Sequence, residues 1–200
     1  MNRYVIGVVG GASTGKGEIT DFLRKQEIIH FNDISLSDIL RELATQEGKS
    51  HKREDLEAVG TAHREQFGDD FLARIAVDIL CANPAENYIV ESIKHPDEIR
   101  TLKSEVNALI LGVTMSPERR FAFMQERARE GDSVKWAAFH NLLLLEKSST
   151  GHGIRVDDAL READVLIDND GTLDDLHRKV AKVLLERGIY LEGRPPHKER

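Results

Sequence analysis

The octet Gly10-Gly11-Ala12-Ser13-Thr14-Gly15-Lys16-Gly17 constrains this chain more than any other feature. It fits the pattern G-x-x-x-x-G-K. Just before it, Tyr4 to Val9 is a short continuous apolar run of the kind that forms a buried parallel strand. After it comes a helical pattern to about Gln26. Strand, glycine loop and helix are the context in which this spacing carries chemistry. The glycines let the backbone turn so that several N–H groups point inward. Those amides and the helix N-terminus hold phosphate oxygens. Lys16 adds a cation that reaches the β- and γ-phosphates of a nucleotide. Gly10, Gly11, Ala12, Ser13, Thr14, Gly15, Lys16 and Gly17, with Glu18 behind them, are the candidate phosphate-binding residues. The residue after such a lysine is ordinarily Ser or Thr, whose hydroxyl meets magnesium. Here it is Gly17 followed by Glu18, and Ser13 and Thr14 inside the loop are weaker substitutes.

The rest of the chain alternates. Ile28 to Phe31 reads as a second strand, and Ser35 or Ser37 as the cap of a helix carrying Ile39, Leu40 and Leu43. Two helical patterns run from Lys52 to about Cys81, hinged near Gly68. Tyr88 to Val90 is a third strand ending at Glu91, and Ala108 to Val113 a fourth. Ser116-Pro117-Glu118 starts a helix with proline in its first turn. That signal continues to about Lys147, with a break at Gly131-Asp132. Val165 to Ile167 is a fifth strand and Leu173 to Leu185 a last helix. Alternating strands and helices predict an α/β fold with a parallel sheet of about five strands covered on both faces, a three-layer α/β/α sandwich.

Length and composition agree with one such domain. The 200 residues suit a single unit over 1–192, and the tail 193–200 holds Pro195-Pro196 and no helical period. With 40% hydrophobic and 32% charged residues, the chain is neither disordered nor a disulfide scaffold. A net charge of −7 argues against coating nucleic acid, so no nucleic-acid partner is expected. The single Cys81 makes no internal disulfide and suits a reducing, cytoplasmic setting. Apolar runs fall far short of the roughly 20 residues that span a bilayer, so no membrane partner is expected either. The opening MNRYVIGVVGGA is too short for a signal peptide and leads straight into the loop. No feature speaks to the oligomeric state.

From about Tyr4 to Leu185 the chain resembles the small P-loop kinases, the group that holds dephospho-CoA kinase, adenylate kinase and deoxynucleoside monophosphate kinase. The resemblance implies a helical acceptor-binding insertion over about 36–82 and a lid over about 117–150. Adenylate kinases likewise carry glycine after the loop lysine, though they follow it with threonine where this chain has Glu18. In nucleoside monophosphate kinases a helix arginine after the second strand grips the acceptor phosphate, and Arg41 matches that place. A guanidinium fork suits phosphate oxygens. Arg53, Arg64 and Arg74 in the insertion are further candidates. Glu91 stands where the group has an acid supporting magnesium or its water, and Lys94 where relatives often have an arginine beside the substrate phosphate. Asp33, and in competition with it Asp38, matches an aspartate that acts on the acceptor in dephospho-CoA kinase. The lid-like run from Glu118 to Asp132 offers Arg120, Arg127 and Arg129, with Arg127 expected to act on the transferring group. Asn169, in the turn Ile167 to Thr172, matches a turn that lies against adenine.

The resemblance therefore implies ATP and Mg2+ as cofactors and phosphoryl transfer to a small-molecule acceptor, a nucleoside or deoxynucleoside monophosphate. Dephospho-CoA kinase is the alternative among enzymes. A nucleotide-binding regulatory module with little turnover is the alternative outside them.

Overall fold

The computed structural model describes residues 3–127, 135–146 and 152–191. Its centre is a five-stranded sheet in the order β2-β3-β1-β4-β5, in which every neighbouring pair is parallel. The strands are β1 (Val5–Gly10), β2 (Phe31–Ser35), β3 (Asn87–Ile93), β4 (Leu109–Thr114) and β5 (Val165–Asp168). β1 lies in the middle and is buried at every residue, which is why it reads as an unbroken apolar run.

Helices cover both faces. On one side α1 (Lys16–Arg24) and α9 (Leu173–Glu186) pack Ile19, Leu23, Leu176 and Val180 against Ile6, Val8 and Leu111 of the sheet. On the other, α2 (Leu36–Gln46), α4 (Phe71–Ala82), α5 (Pro96–Val106) and α8 (Val156–Arg161) bury Leu36, Leu80, Ile99 and Ala159 against Val5, Val9 and Val90. The side chains alternate between these two cores along β1, as strand geometry requires. With α3 (Arg53–Phe67), α2 and α4 form the excursion between β2 and β3. The range expected as a lid holds α6 (Pro117–Arg127) and α7 (Trp136–Glu146). Residues 128–134 and 147–150 of that range, Arg129 and the break at Gly131-Asp132 among them, lie outside the described residues, as does the tail 193–200.

Three sequence expectations need correction. The second strand is Phe31–Ser35, later than expected, because Phe31 and Ile34 are the residues it buries while Ile28 is exposed. Asp33 therefore lies within an edge strand and does not follow it. The third strand continues past Glu91 to Ile93, and its pairing with β1 shifts register between Gly7 and Val9. Ser92 there has φ +65°, so a bulge re-aims the end of the strand. Finally, between the third and fourth strands, where no helix was read from the sequence, α5 begins at Pro96. Proline in the first turn and the Glu98 carboxylate, accepting from the N–H of His95 at 3.0 Å, form a cap that was legible in the sequence.

Candidate active site

The loop between β1 and α1 stands at the C-terminal edge of the sheet, where ligands of open α/β folds bind. Gly15 carries φ +92°, a conformation that L side chains rarely adopt. A Cβ there would also stand 2.2 Å from Asn169 Nδ2, which donates to Thr14 O at 3.0 Å. Asn169 thus ties the phosphate loop to the strand-to-helix turn after β5. The Thr14 hydroxyl is buried and donates to Gly11 O at 3.0 Å, so it is committed to the loop's own backbone. Lys16 Nζ donates to Gly11 O at 2.5 Å. Burial lowers its pKa to about 8, opposed by the nearby carboxylate of Glu146.

Glu146 is the principal residue that sequence reasoning missed. It comes from the last turn of α7, yet its Oε1 accepts from the Ala12 N–H at 2.6 Å. Its Oε2 accepts from Arg120 Nη2 at 2.7 Å, and Arg120 Nε donates to Ala12 O at 2.7 Å. Both side chains are more than nine-tenths buried. The Arg120 guanidinium also lies 5.6 Å from the ring centre of Phe139, and Phe121, Trp136 and Phe139 pack together to join α6 to α7. Trp136 thus serves packing. A Cβ on Gly11 would meet Glu146 Oε2 at 2.5 Å, so glycine at this position is what admits the pair. The free loop therefore holds a carboxylate against an amide that could receive a phosphate oxygen. The two residues are 134 apart in sequence, and no local motif announces the contact.

From the loop a cleft of about 630 Å3 runs toward the excursion between β2 and β3. Ala12, Lys16 and Glu146 line one part, and Arg41, Arg53, Arg64 and Lys94 line another. Arg41 donates to Ser37 Oγ at 3.1 Å and pairs with Asp38. Asp38 is exposed and does not line the cleft, so it stands as the partner of Arg41. Arg64 is buried, lies 3.8 Å from Glu98, and has an Nε with no hydrogen-bond partner. Arg53 pairs with Glu57, whereas Arg74 pairs with Asp70 away from the cleft. Burial lowers the pKa of Lys94; Glu98 raises it and the surrounding arginines lower it further. Glu57 and Glu98 also line this part and offset Arg53 and Arg64, while Lys94, felt by Glu98, makes no ion pair within 4 Å among the described residues.

Glu91 and Asp33 meet at Arg24, which lies 3.9 Å from Glu91 Oε1 and 2.6 Å from Asp33 Oδ2. Neither acid lines the cleft. Burial raises the Glu91 pKa, Arg24 lowers it, and Asp33 raises it further. Glu91 is close enough to the loop to be felt by Lys16.

A second hollow of about 220 Å3 opens on the other side of the loop, lined by Glu18, Arg119, Phe123, Asn169, Gly171 and Thr172 among others. Glu18 thus faces this hollow. Arg119, exposed on its helix, donates to the carbonyls of Asp170 and Gly171. Arg127 closes α6, and its side chain lies outside the described residues.

Comparisons with known proteins agree with this architecture. No protein-family model matches the sequence. A UPF0200 protein of Thermococcus sibiricus is 30% identical over 191 residues, covering 92% of this chain and 96% of its own. One from Methanothermobacter thermautotrophicus is 26% identical over 185 residues, covering 92% and 90%. Among solved structures, TT1252 from Thermus thermophilus superposes with a TM-score of 0.58 at 20% identity, over 93% of this chain and 98% of its own. Shikimate kinase from Acinetobacter baumannii, in complex with shikimate, does so with 0.56 at 15% identity, over 92% and 94%. The fold is that of the P-loop kinases, and the chain belongs to the UPF0200 family.

Proposed function

We propose that the protein transfers the γ-phosphoryl group of ATP to a small anionic acceptor, a nucleoside or deoxynucleoside monophosphate. The observation that carries this reading is the single cleft joining the phosphate loop at Ala12 and Lys16 to the cations Lys94, Arg64 and Arg41. The phosphate of such an acceptor is itself the group that is phosphorylated, so these cations would hold its oxygens in the cleft facing the γ-phosphoryl group at the loop. Such reactions are catalysed chiefly by positioning and by neutralising phosphate charge. In this reading Lys16 and the loop amides hold the triphosphate. The hollow between Arg119 and the Asn169 turn takes the adenine. Arg120 passes from Glu146 to the phosphates, and Arg127 adds charge as α6 and α7 close.

Glu91 suits magnesium or its bound water, because it is a half-buried carboxylate near the loop whose nearest ion-pair partner, Arg24, stands 3.9 Å away. Held there, magnesium would neutralise phosphate charge. Thr20 sits one turn along α1 with its hydroxyl given to Gly17 O, so no hydroxyl of that helix start replaces the usual Ser or Thr.

Arg41→Ala is expected to raise the acceptor KM at least about tenfold with little change for ATP. Loss of a charge-assisted hydrogen bond is worth about 1.5–3 kcal/mol. Steady-state kinetics with each substrate varied in turn checks this, and a rise confined to the KM of ATP would move the acceptor site elsewhere. A second reading, a nucleotide-binding regulatory module, is favoured by one observation: the chain's own Glu146 occupies a loop amide. Such a module would bind ATP and turn it over slowly with every acceptor.

A further inference from the structure

Three serine hydroxyls meet where β2, α2 and β3 come together at the C-terminal edge of the sheet. Ser35 ends β2, Ser37 lies in the first turn of α2, and Ser92 occupies the bulge near the end of β3. Ser37 Oγ stands 3.0 Å from Ser35 Oγ and 3.2 Å from Ser92 Oγ, and Ser35 Oγ donates to Ser92 Oγ at 3.5 Å. Ser37 Oγ also accepts from Arg41 Nη1 at 3.1 Å. Ser37, Ser92, Arg41 and Lys94 all line the cleft.

Two features of this group work against stability. Ser92 holds φ +65°, a left-handed conformation that strains a residue other than glycine. Ser35 is the N-cap residue of α2, a place where serine ordinarily accepts from a helix amide, yet its side chain makes no such bond. Both departures bring a hydroxyl to the same spot. Strain of this kind collects where a ligand must be held.

We propose that Ser37 and Ser92 donate to the phosphate oxygens of the acceptor beside Arg41, with Ser35 positioning the two hydroxyls. In the free protein the three hydroxyls satisfy one another. Each carries one hydrogen and can turn it to a better acceptor when one arrives. Turned toward the cleft, the hydrogens of Ser37 and Ser92 add two donors to the Arg41 guanidinium, and Lys94 adds charge. Donors converging beside two cations suit a phosphate, whose ionised oxygens only accept. This assignment rests on the kinase reading and adds two neutral donors to the acceptor subsite.

The test uses the full 200-residue chain and whichever nucleoside or deoxynucleoside monophosphate most stimulates its ADP release. Ser37→Ala and Ser92→Ala should each raise the KM for that monophosphate about tenfold, with the KM for ATP within about twofold of the parent's. Ser37→Thr, which restores a hydroxyl, should keep the parental KM. Ser92→Gly separates binding from folding. It relieves the left-handed backbone, so its melting temperature should rise by about 2–4 °C while its acceptor KM rises as in Ser92→Ala. A hydroxyl with a merely structural role would leave that KM unmoved. A parent that is stimulated, with acceptor KM unchanged in Ser37→Ala and Ser92→Gly, overturns this assignment and leaves the kinase standing. An equal rise in the KM values of both substrates overturns it as well. Stimulation by no monophosphate overturns the kinase reading and this assignment with it.

Discussion

Lys16→Met is expected to raise the Kd for ATP by about a hundredfold while leaving the melting temperature at pH 7 no lower than the parent's. The lysine would contact two phosphates, and each charge-assisted hydrogen bond is worth about 1.5–3 kcal/mol. In the free protein, however, the ammonium is an expense to the fold. Burial brings its pKa down to about 8 from 10.5. Between those two values the unfolded chain binds more protons than the folded one, so this group's contribution to stability improves as pH rises through that window. Below about pH 8 the buried charge is a constant penalty, which methionine removes. The same pKa governs binding. ATP affinity should decline as pH rises above about 8, because the free loop then loses its charge and must take up a proton to hold phosphate. Methionine abolishes that decline. Calorimetry with ATP from pH 6.5 to 9.5, beside melting curves, measures all three effects. A folded Lys16→Met protein with parental ATP affinity contradicts the assignment.

Glu146→Gln is expected to tighten ATP binding about tenfold. The wild-type carboxylate accepts from the Ala12 N–H and from Arg120, two charge-assisted bonds that an arriving phosphate must break. Glutamine keeps the shape and one neutral acceptor, so it competes less, and it leaves Arg120 free to meet the nucleotide. A neutral bond in place of a charged one differs by about 1–1.5 kcal/mol, which is close to tenfold. Arg120→Ala is the informative opposite. It leaves Glu146 buried beside the loop without its partner, so ATP binding and stability should both fall. If Glu146→Gln binds ATP as weakly as the parent, or more weakly, the carboxylate does not share the loop with phosphate.

How much of this was legible in the sequence depended on distance along the chain. The phosphate loop is one contiguous octet, and its strand and helix are neighbours, so spacing alone located it. The α/β alternation was equally local, and the five parallel strands followed from it. Edges were harder. β2 is an edge strand that buries only Phe31 and Ile34, so the apolar pair Ile28 and Ile29 misled the reading. The α5 cap was readable in His95-Pro96-Asp97-Glu98. The partners of Arg119 are carbonyls about fifty residues away, beyond the reach of local spacing. Glu146 could not be found by any periodicity. Its role exists only because α7 folds back over a loop 134 residues earlier, and Gly11 leaves it room.

The central claim is phosphoryl transfer to an anionic acceptor across one cleft, and acceptor-dependent release of ADP tests it most directly. The purified chain is given ATP and Mg2+, and ADP is followed by a coupled assay with each nucleoside and deoxynucleoside monophosphate, with dephospho-CoA, and with no acceptor. The account predicts that at least one monophosphate raises ADP release far above the acceptor-free rate, and that Lys16→Met abolishes the increase. Stimulation by dephospho-CoA alone would keep the kinase and replace the acceptor. Tight ATP binding with the same slow release under every condition would contradict the kinase reading and leave a nucleotide-binding module in its place.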